Sequence, residues 1–207
     1  MKEITKMSRL TGELEKAFRL LNEELFNNEL PTPIITVTPT PKAYGHYSLS
    51  KIWRSQKNRK HEINISSDSL NRPLEETIGT LVHEMVHMYN NAVLAVADTS
   101  NHGHYHNKKF KIQAEAHGLI VSKTRYGFSY TEPSDVIFDF LLNHPEIREI
   151  EMCRATLIRN SNGETGKSKG HHRKYMCPCC GISVRATRAV NIICGDCMAQ
   201  MREVKRI

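Results

Sequence analysis

The chain has 207 residues and 39% apolar content, which is room for one core of ordinary size plus a small appendage and excludes a wholly disordered protein. Its net charge of +7 is unevenly placed: residues 1 to 150 carry 18 Lys and Arg against 18 Asp and Glu, whereas 151 to 207 carry 11 against 4. No stretch approaches the ~20 apolar residues of a membrane span and the N-terminus has no apolar leader core, so no membrane partner is expected and a cytoplasmic location is.

Leu10, Leu14, Phe18, Leu21 and Leu25 recur at helical spacing and predict an amphipathic helix over about 7–27, ended by "NNELPTP". Three strands are expected next, "IITVT" at 34–38, "YGHYSLS" at 44–50 and "HEINIS" at 61–66, with "KNRK" at 57–60 as a polar turn, together forming a small, largely antiparallel sheet. "NRPLEETIGTLVHEMVHMYNNA" opens a helix: Pro73 suits the first turn, Glu75 and Glu76 favour the positive end of the dipole, and Leu74, Ile78, Leu81, Val82 and Met85 form an apolar stripe. "DTSNHGHYHN" is a polar loop, "HNKKFKIQAEAHG" a second helix closed by Gly118, and 119–150 further loop and helix, with "SDVIFDFLLNH" as the helical part. Residues 159–174 contain no apolar side chain and predict a flexible basic linker between a body at 1–158 and a module at 175–207.

"LVHEMVH" sets His83 and His87 four residues apart, so on a helix both project from one side and grip one ion, while Glu84 is rotated off that axis toward a water. Such a trio supplies the parts of metal-assisted hydrolysis: a divalent ion lowers the pKa of bound water and a carboxylate takes its proton. A third ligand is required, and the metzincin extension does not supply it, because Gly and His are replaced by Asn90 and Val93. A glutamate on the next helix is conceivable, with Glu115 as the candidate; His102, His104 and His106 lie closer, and spacing alone does not choose among them.

Five of six cysteines lie between 177 and 197, which in a reducing compartment points to metal rather than disulfides. Cys177 and Cys180, then thirteen residues, then Cys194 and Cys197 form the two knuckles of a structural four-cysteine zinc site, each with a glycine that lets the backbone turn around sulfur. Cys179 is left over, and Cys153 is expected to be a packed thiol. "ISVRATRAV" between the knuckles reads as a short strand pair with Arg185 and Arg188 toward solvent.

The order of an N-terminal helix, "FNNELP", "YGHYS", "INIS", "LVHEMVH", "YHNKKF" and a terminal ribbon resembles the SprT-like family. Relatives with His-Gly where this chain has His106-Asn107 mark one departure. The resemblance implies an α+β fold: a zincin-like metallopeptidase domain with a small antiparallel sheet packed on helices, followed by a zinc ribbon. It implies one catalytic zinc on His83, His87 and His106, with Glu84 as catalytic base, and one structural zinc on the ribbon cysteines. It also implies an endopeptidase acting on proteins associated with or crosslinked to DNA, the basic C-terminal region contacting DNA as a single strand or without sequence preference. The alternative is a nucleic-acid-binding or transcription-associated adaptor whose ribbon carries the function and whose histidine site is structural. In the peptidase reading, "AYGHYSLS" is the sheet edge on which an extended substrate would lie, near Tyr44, His46 and Tyr47.

Overall fold

The computed structural model describes residues 6–101, 103–147, 154, 173–186 and 188–204. Their contacts divide the chain into two compact units, Met1–Thr156 and Leu157–Ile207, each with its own core. In the first, α1 (Met7–Leu25) buries Leu10, Leu14, Phe18 and Leu21 along one stripe. The strands that follow are β1 (Ile34–Thr38), β2 (Gly45–Tyr47), β3 (Trp53–Arg54), β4 (Arg59–Lys60) and β5 (Glu62–Ser66).

β1, β5 and β2 form one sheet in that order, with β1 parallel to β5 and β2 antiparallel to it, so the sheet is evenly mixed where a largely antiparallel one was expected. Period-two alternation reveals a strand but not its direction; direction is decided by β5 returning between β1 and β2. As the central strand β5 is buried on both sides, and the polar Asn64 within it must find partners. Its Oδ1 accepts from Thr36 Oγ1, Thr38 N and Thr38 Oγ1, and its Nδ2 donates to Thr38 O and Thr40 Oγ1, clamping β5 to the end of β1. β3 and β4 make a separate two-stranded hairpin, so Arg59 and Lys60 of the expected turn are strand residues.

α2 (Leu74–Met88) follows, with Pro73 at its cap position and Glu75 and Glu76 in the first turn, and continues into a π-helical turn at Tyr89–Val93. Next come β6 (Thr99–Ser100), β7 (Tyr105–His106), α3 (Lys108–Ala116), β8 (Leu119–Thr124), β9 (Gly127–Pro133) and α4 (Asp135–Asn143). β6, β7, β9 and β8 form a second sheet in that order. The β8–β9 hairpin occupies a stretch whose pattern predicted only loop and helix. Its apolar Ile120 and Tyr130 are exposed, so no clean alternation marks the strands. α2 touches both sheets and the other three helices, and from Ile78 to Met88 only His83 is not buried. Among the described residues no helix is long and apolar enough to cross a membrane.

The second unit is a three-stranded antiparallel sheet of β10 (Arg173–Met176), β11 (Ser183–Ala186) and β12 (Arg202–Val204), ordered β11-β10-β12. Tyr175, Cys177, Cys194 and Met201 form its core. The segment expected as linker lies outside the described residues apart from Arg173 and Lys174, which open β10, and Cys153 also lies outside them. "ISVRATRAV" supplies one strand, paired to β10, rather than a pair of its own.

Candidate functional site

The middle of α2 carries His83 and His87 one helical turn apart, and β7 ends on His106 directly before α3. Their ring nitrogens converge: His106 Nε2 lies 3.2 Å from His83 Nε2 and 3.0 Å from His87 Nε2. The fully buried Phe110, one turn into α3, lies 4.6 Å from each imidazole, ring centre to ring centre, and gives the cluster an apolar floor. Of the other histidines considered, His104 is exposed and outside the cluster, and His102 lies outside the described residues. Glu115 points to solvent and pairs with Lys111.

Two of the three imidazoles are held from behind by a side chain. His87 Nδ1–H donates to Asp98 Oδ2 at 2.8 Å, and Asn90 Nδ2 donates to the same oxygen at 3.0 Å. His83 Nδ1 lies 3.0 Å from Thr131 Oγ1 on β9. Asp98 also serves the third ligand, because its backbone carbonyl accepts from Asn107 N at 2.9 Å, next to His106. Asn107 in turn caps α3, its side chain accepting from Lys109 N and Phe110 N, so this residue has a structural task of its own. Gly127 (φ +75) opens β9 against the His106 carbonyl; a Cβ there would stand 2.1 Å from that oxygen, so no other residue fits without displacing His106.

Asp98 and Thr131 were not singled out in the sequence. Asp98 had a weak signal, being the one acidic residue between Glu84 and Glu115. Thr131 had none.

Glu84 is 5% exposed and lies beside the cluster. Burial pushes its carboxyl up to about 7; His87 and the backbone N–H of Tyr47 oppose the rise, and Asp98 adds to it. The room for this carboxylate comes from Gly45 on β2, where a Cβ would meet Asn64 O at 2.8 Å and Glu84 Oε1 at 3.1 Å. Burial, and then the neighbouring imidazoles, hold His83 well below the ordinary histidine value. Burial followed by His87 holds His106 at about 4, against a small opposing pull from Asp98.

The donor set suits a divalent cation. Asp98 fixes the proton of His87 on Nδ1, so its Nε2 presents a lone pair to the others, and His83 and His106 stay neutral at pH 7. Nitrogens 2.0–2.1 Å from one tetrahedral centre stand about 3.3 Å apart, close to the separations seen. The buried His106 Nδ1 has no partner among the described residues, so this ring is oriented by backbone and packing alone. Asp98→Asn should therefore weaken metal binding by roughly 10–100-fold, the usual cost of losing the group behind a ligating histidine. Competition of the variant and the native chain against a calibrated chelator measures it; an unchanged affinity would show that Asp98 does not orient His87.

The second unit brings Cys177, Cys180, Cys194 and Cys197 together, every pair of sulfurs lying within 4.8 Å. The two knuckles are built alike. Cys177 N donates to Ile182 O and Cys194 N to Ala199 O, while Gly181 N and Met198 N return to the carbonyls of Cys177 and Cys194. The fifth residue of each knuckle is left-handed, Gly181 at φ 76 and Met198 at φ 52, so the second knuckle turns at Met198 and not at Gly195 as expected. The backbone N–H of Cys180 draws the Cys177 thiol down to about 7, toward the thiolate a metal needs. Cys179 is exposed and outside the cluster.

An α+β unit whose central helix presents two histidines to a third, with a buried glutamate alongside, carries the side chains that a metallopeptidase-type domain uses. The SprT-like family model matches residues 14–128, more than half of the chain, and the chain belongs to that family. The match takes in most of α1, all of α2 and α3 and the three histidines but ends before Thr131 and the cysteine unit. No curated protein and no solved structure matches the chain.

Proposed function

We propose that the chain is a zincin-like, zinc-dependent endopeptidase that cuts protein substrates, with zinc held by His83, His87 and His106 and a second, structural zinc held by Cys177, Cys180, Cys194 and Cys197. The observation that carries this is Glu84: a structural site has no use for a carboxylate buried next to the ligands, off their axis, with a glycine cut out of the facing strand to admit it. Zinc in such a site supplies a Lewis acid that acidifies water and polarises a carbonyl. Glu84 takes the proton of the attacking water and returns it to the departing amine, and burial, which raises its carboxyl above the ordinary carboxylate range, makes it a better base for the first transfer.

β2 is the edge of its sheet beside α2, which supports an extended peptide adding there as a further strand. Tyr47 is committed to packing, its hydroxyl lying 2.9 Å from His61 Nδ1 and donating to Asn91 Oδ1 at 2.8 Å, whereas Tyr44 is exposed under the Arg72 guanidinium. A cleft lined by Leu49, Ala95, Val96 and Ala97 together with the polar Asn91 and Thr99 offers a mixed wall to a substrate side chain. For the DNA-associated substrate class the support is the ribbon sheet. Lys174 pairs across to Arg185, and Arg202 pairs with Met176 two residues on, which puts three cations on one face, away from the buried Tyr175. Such a face fits phosphate contact without base reading.

The purified chain should hold two zinc equivalents, of which His83→Ala removes one, and should fragment an unstructured protein such as casein in a manner stopped by chelation and restored by zinc. A single equivalent untouched by His83→Ala would remove the catalytic reading.

A further inference from the structure

Ten consecutive residues of the first unit, Lys51 to Lys60, carry five of its cations and no anion: Lys51, Arg54, Lys57, Arg59 and Lys60. Outside them, residues 1 to 150 hold 13 Lys and Arg against 18 Asp and Glu, so the even balance of that region conceals a basic arm on an acidic body. All ten residues are exposed or nearly so, and none of the five cations makes a side-chain hydrogen bond or ion pair with a described residue. The arm is nevertheless ordered. β3 and β4 pair Trp53 with Lys60 and Arg54 with Arg59, Ser55 N donates to Asn58 O at 2.8 Å, and Trp53 Nε1–H donates to Glu62 Oε2 at 2.6 Å, tying the arm to β5. Two arginines directly opposite one another in a two-residue ladder repel, a cost that an anion lying between them relieves. Trp53, 45% exposed, adds an aromatic ring to the same arm, held in place by its indole N–H.

We propose that the β3–β4 hairpin is a nucleic-acid contact of the first unit, in which Arg54, Lys57, Arg59 and Lys60 bind phosphates of a single strand and Trp53 stacks on a base. Cations interleaved with an aromatic ring are the recognition chemistry of single strands, whereas an acidic peptide has no use for the ring. The hairpin is inserted between β2, whose Gly45 faces Glu84, and β5, the neighbour of β2 in that sheet. The inference rests on the placement of charge in this unit, not on the peptidase reading or on the ribbon face.

The test is binding, not cleavage, with the full zinc-loaded chain. Fluorescence anisotropy against an oligothymidylate of about twenty nucleotides and a duplex of equal length is read for the native chain, Lys57→Glu/Arg59→Glu, Trp53→Ala and Trp53→Phe. Each is also made in a Lys174→Glu/Arg185→Glu background to remove the ribbon face, with zinc content and melting temperature confirming folding. Charge reversal should weaken single-strand binding at least ~10-fold in both backgrounds and flatten the slope of log affinity against log salt by about 1.4, the share of two phosphate contacts. Trp53→Ala should weaken single-strand binding roughly 10-fold and leave duplex binding unchanged, while Trp53→Phe retains most of it. Native affinity in the charge-reversed chain would overturn the proposal. So would an equal loss toward polyglutamate with Trp53→Ala silent, which would make the hairpin a site for acidic protein.

Discussion

Glu84→Gln is expected to lower peptide cleavage by roughly 10²–10⁴-fold or more while both zinc equivalents and the melting temperature stay at native values. The amide keeps the size of the carboxyl, so it fits the space left by Gly45, and it removes no ligand because the converging nitrogens belong to His83, His87 and His106. What it removes is the group that accepts the water proton. The pH dependence carries the same signature. Without metal the Glu84 carboxyl sits at about 7, and a cation at the neighbouring imidazoles favours its charged form and moves it lower. Cleavage needs the carboxylate, so activity is present above that value and lost as pH falls through it. The acid limb of kcat/KM then lies at or below about 7 in the native chain and is missing from whatever rate the variant retains. Retained activity in Glu84→Gln would sink the mechanism, whereas absence of cleavage by the native zinc-loaded chain would favour a nucleic-acid-binding adaptor with a structural histidine site.

His106→Ala is expected to lose the histidine-site zinc, by more than the 10–100-fold that loss of a supporting residue costs, and with it cleavage; the cysteine-site zinc should remain. His104→Ala should leave both ions and the rate unchanged, since His104 is exposed and outside the cluster. The contrast is sharp because the two residues are separated only by Tyr105. Zinc loss with His104→Ala, or full zinc in His106→Ala, would show that another residue completes the site. Metal-substituted protein gives a readout besides activity: the cobalt bands of the histidine site should vanish only in the His106 variant, while the thiolate–cobalt bands of the cysteine site stay.

Much of the site lies in short-range pattern. The pair His83 and His87 depends on helical spacing, and the helix itself is announced by Pro73, two glutamates and an apolar stripe, so sequence alone places two histidines of the converging trio and one carboxylate on α2. Cys177, Cys180, Cys194 and Cys197 are legible for the same reason, since a knuckle is a local turn around sulfur. The choice of His106 over its neighbours was not legible in the residues and came from family resemblance. The difference between His104 and His106 is which one meets β9, and the parallel pairing of His106 with Gly127 is a contact no local pattern encodes. Left-handed Met198 escaped because any residue that tolerates the strain leaves no compositional mark.

What the sequence by itself determined is therefore what repeats within about one helical turn or one metal knuckle: α1, α2, the first two histidines with Glu84, the four cysteines, and the segregation of charge. Tertiary structure decided the rest. It set the mixed sheet, the β8–β9 hairpin, the closing ligand and the groups behind the ligands. His87 meets Asp98 across 11 residues and His106 across 19, while His83 meets Thr131 across 48. Contacts at those separations are selected by how α2 is enclosed between two sheets, where the space left by Gly45 and Gly127, and not residue spacing, sets which side chains reach the same point.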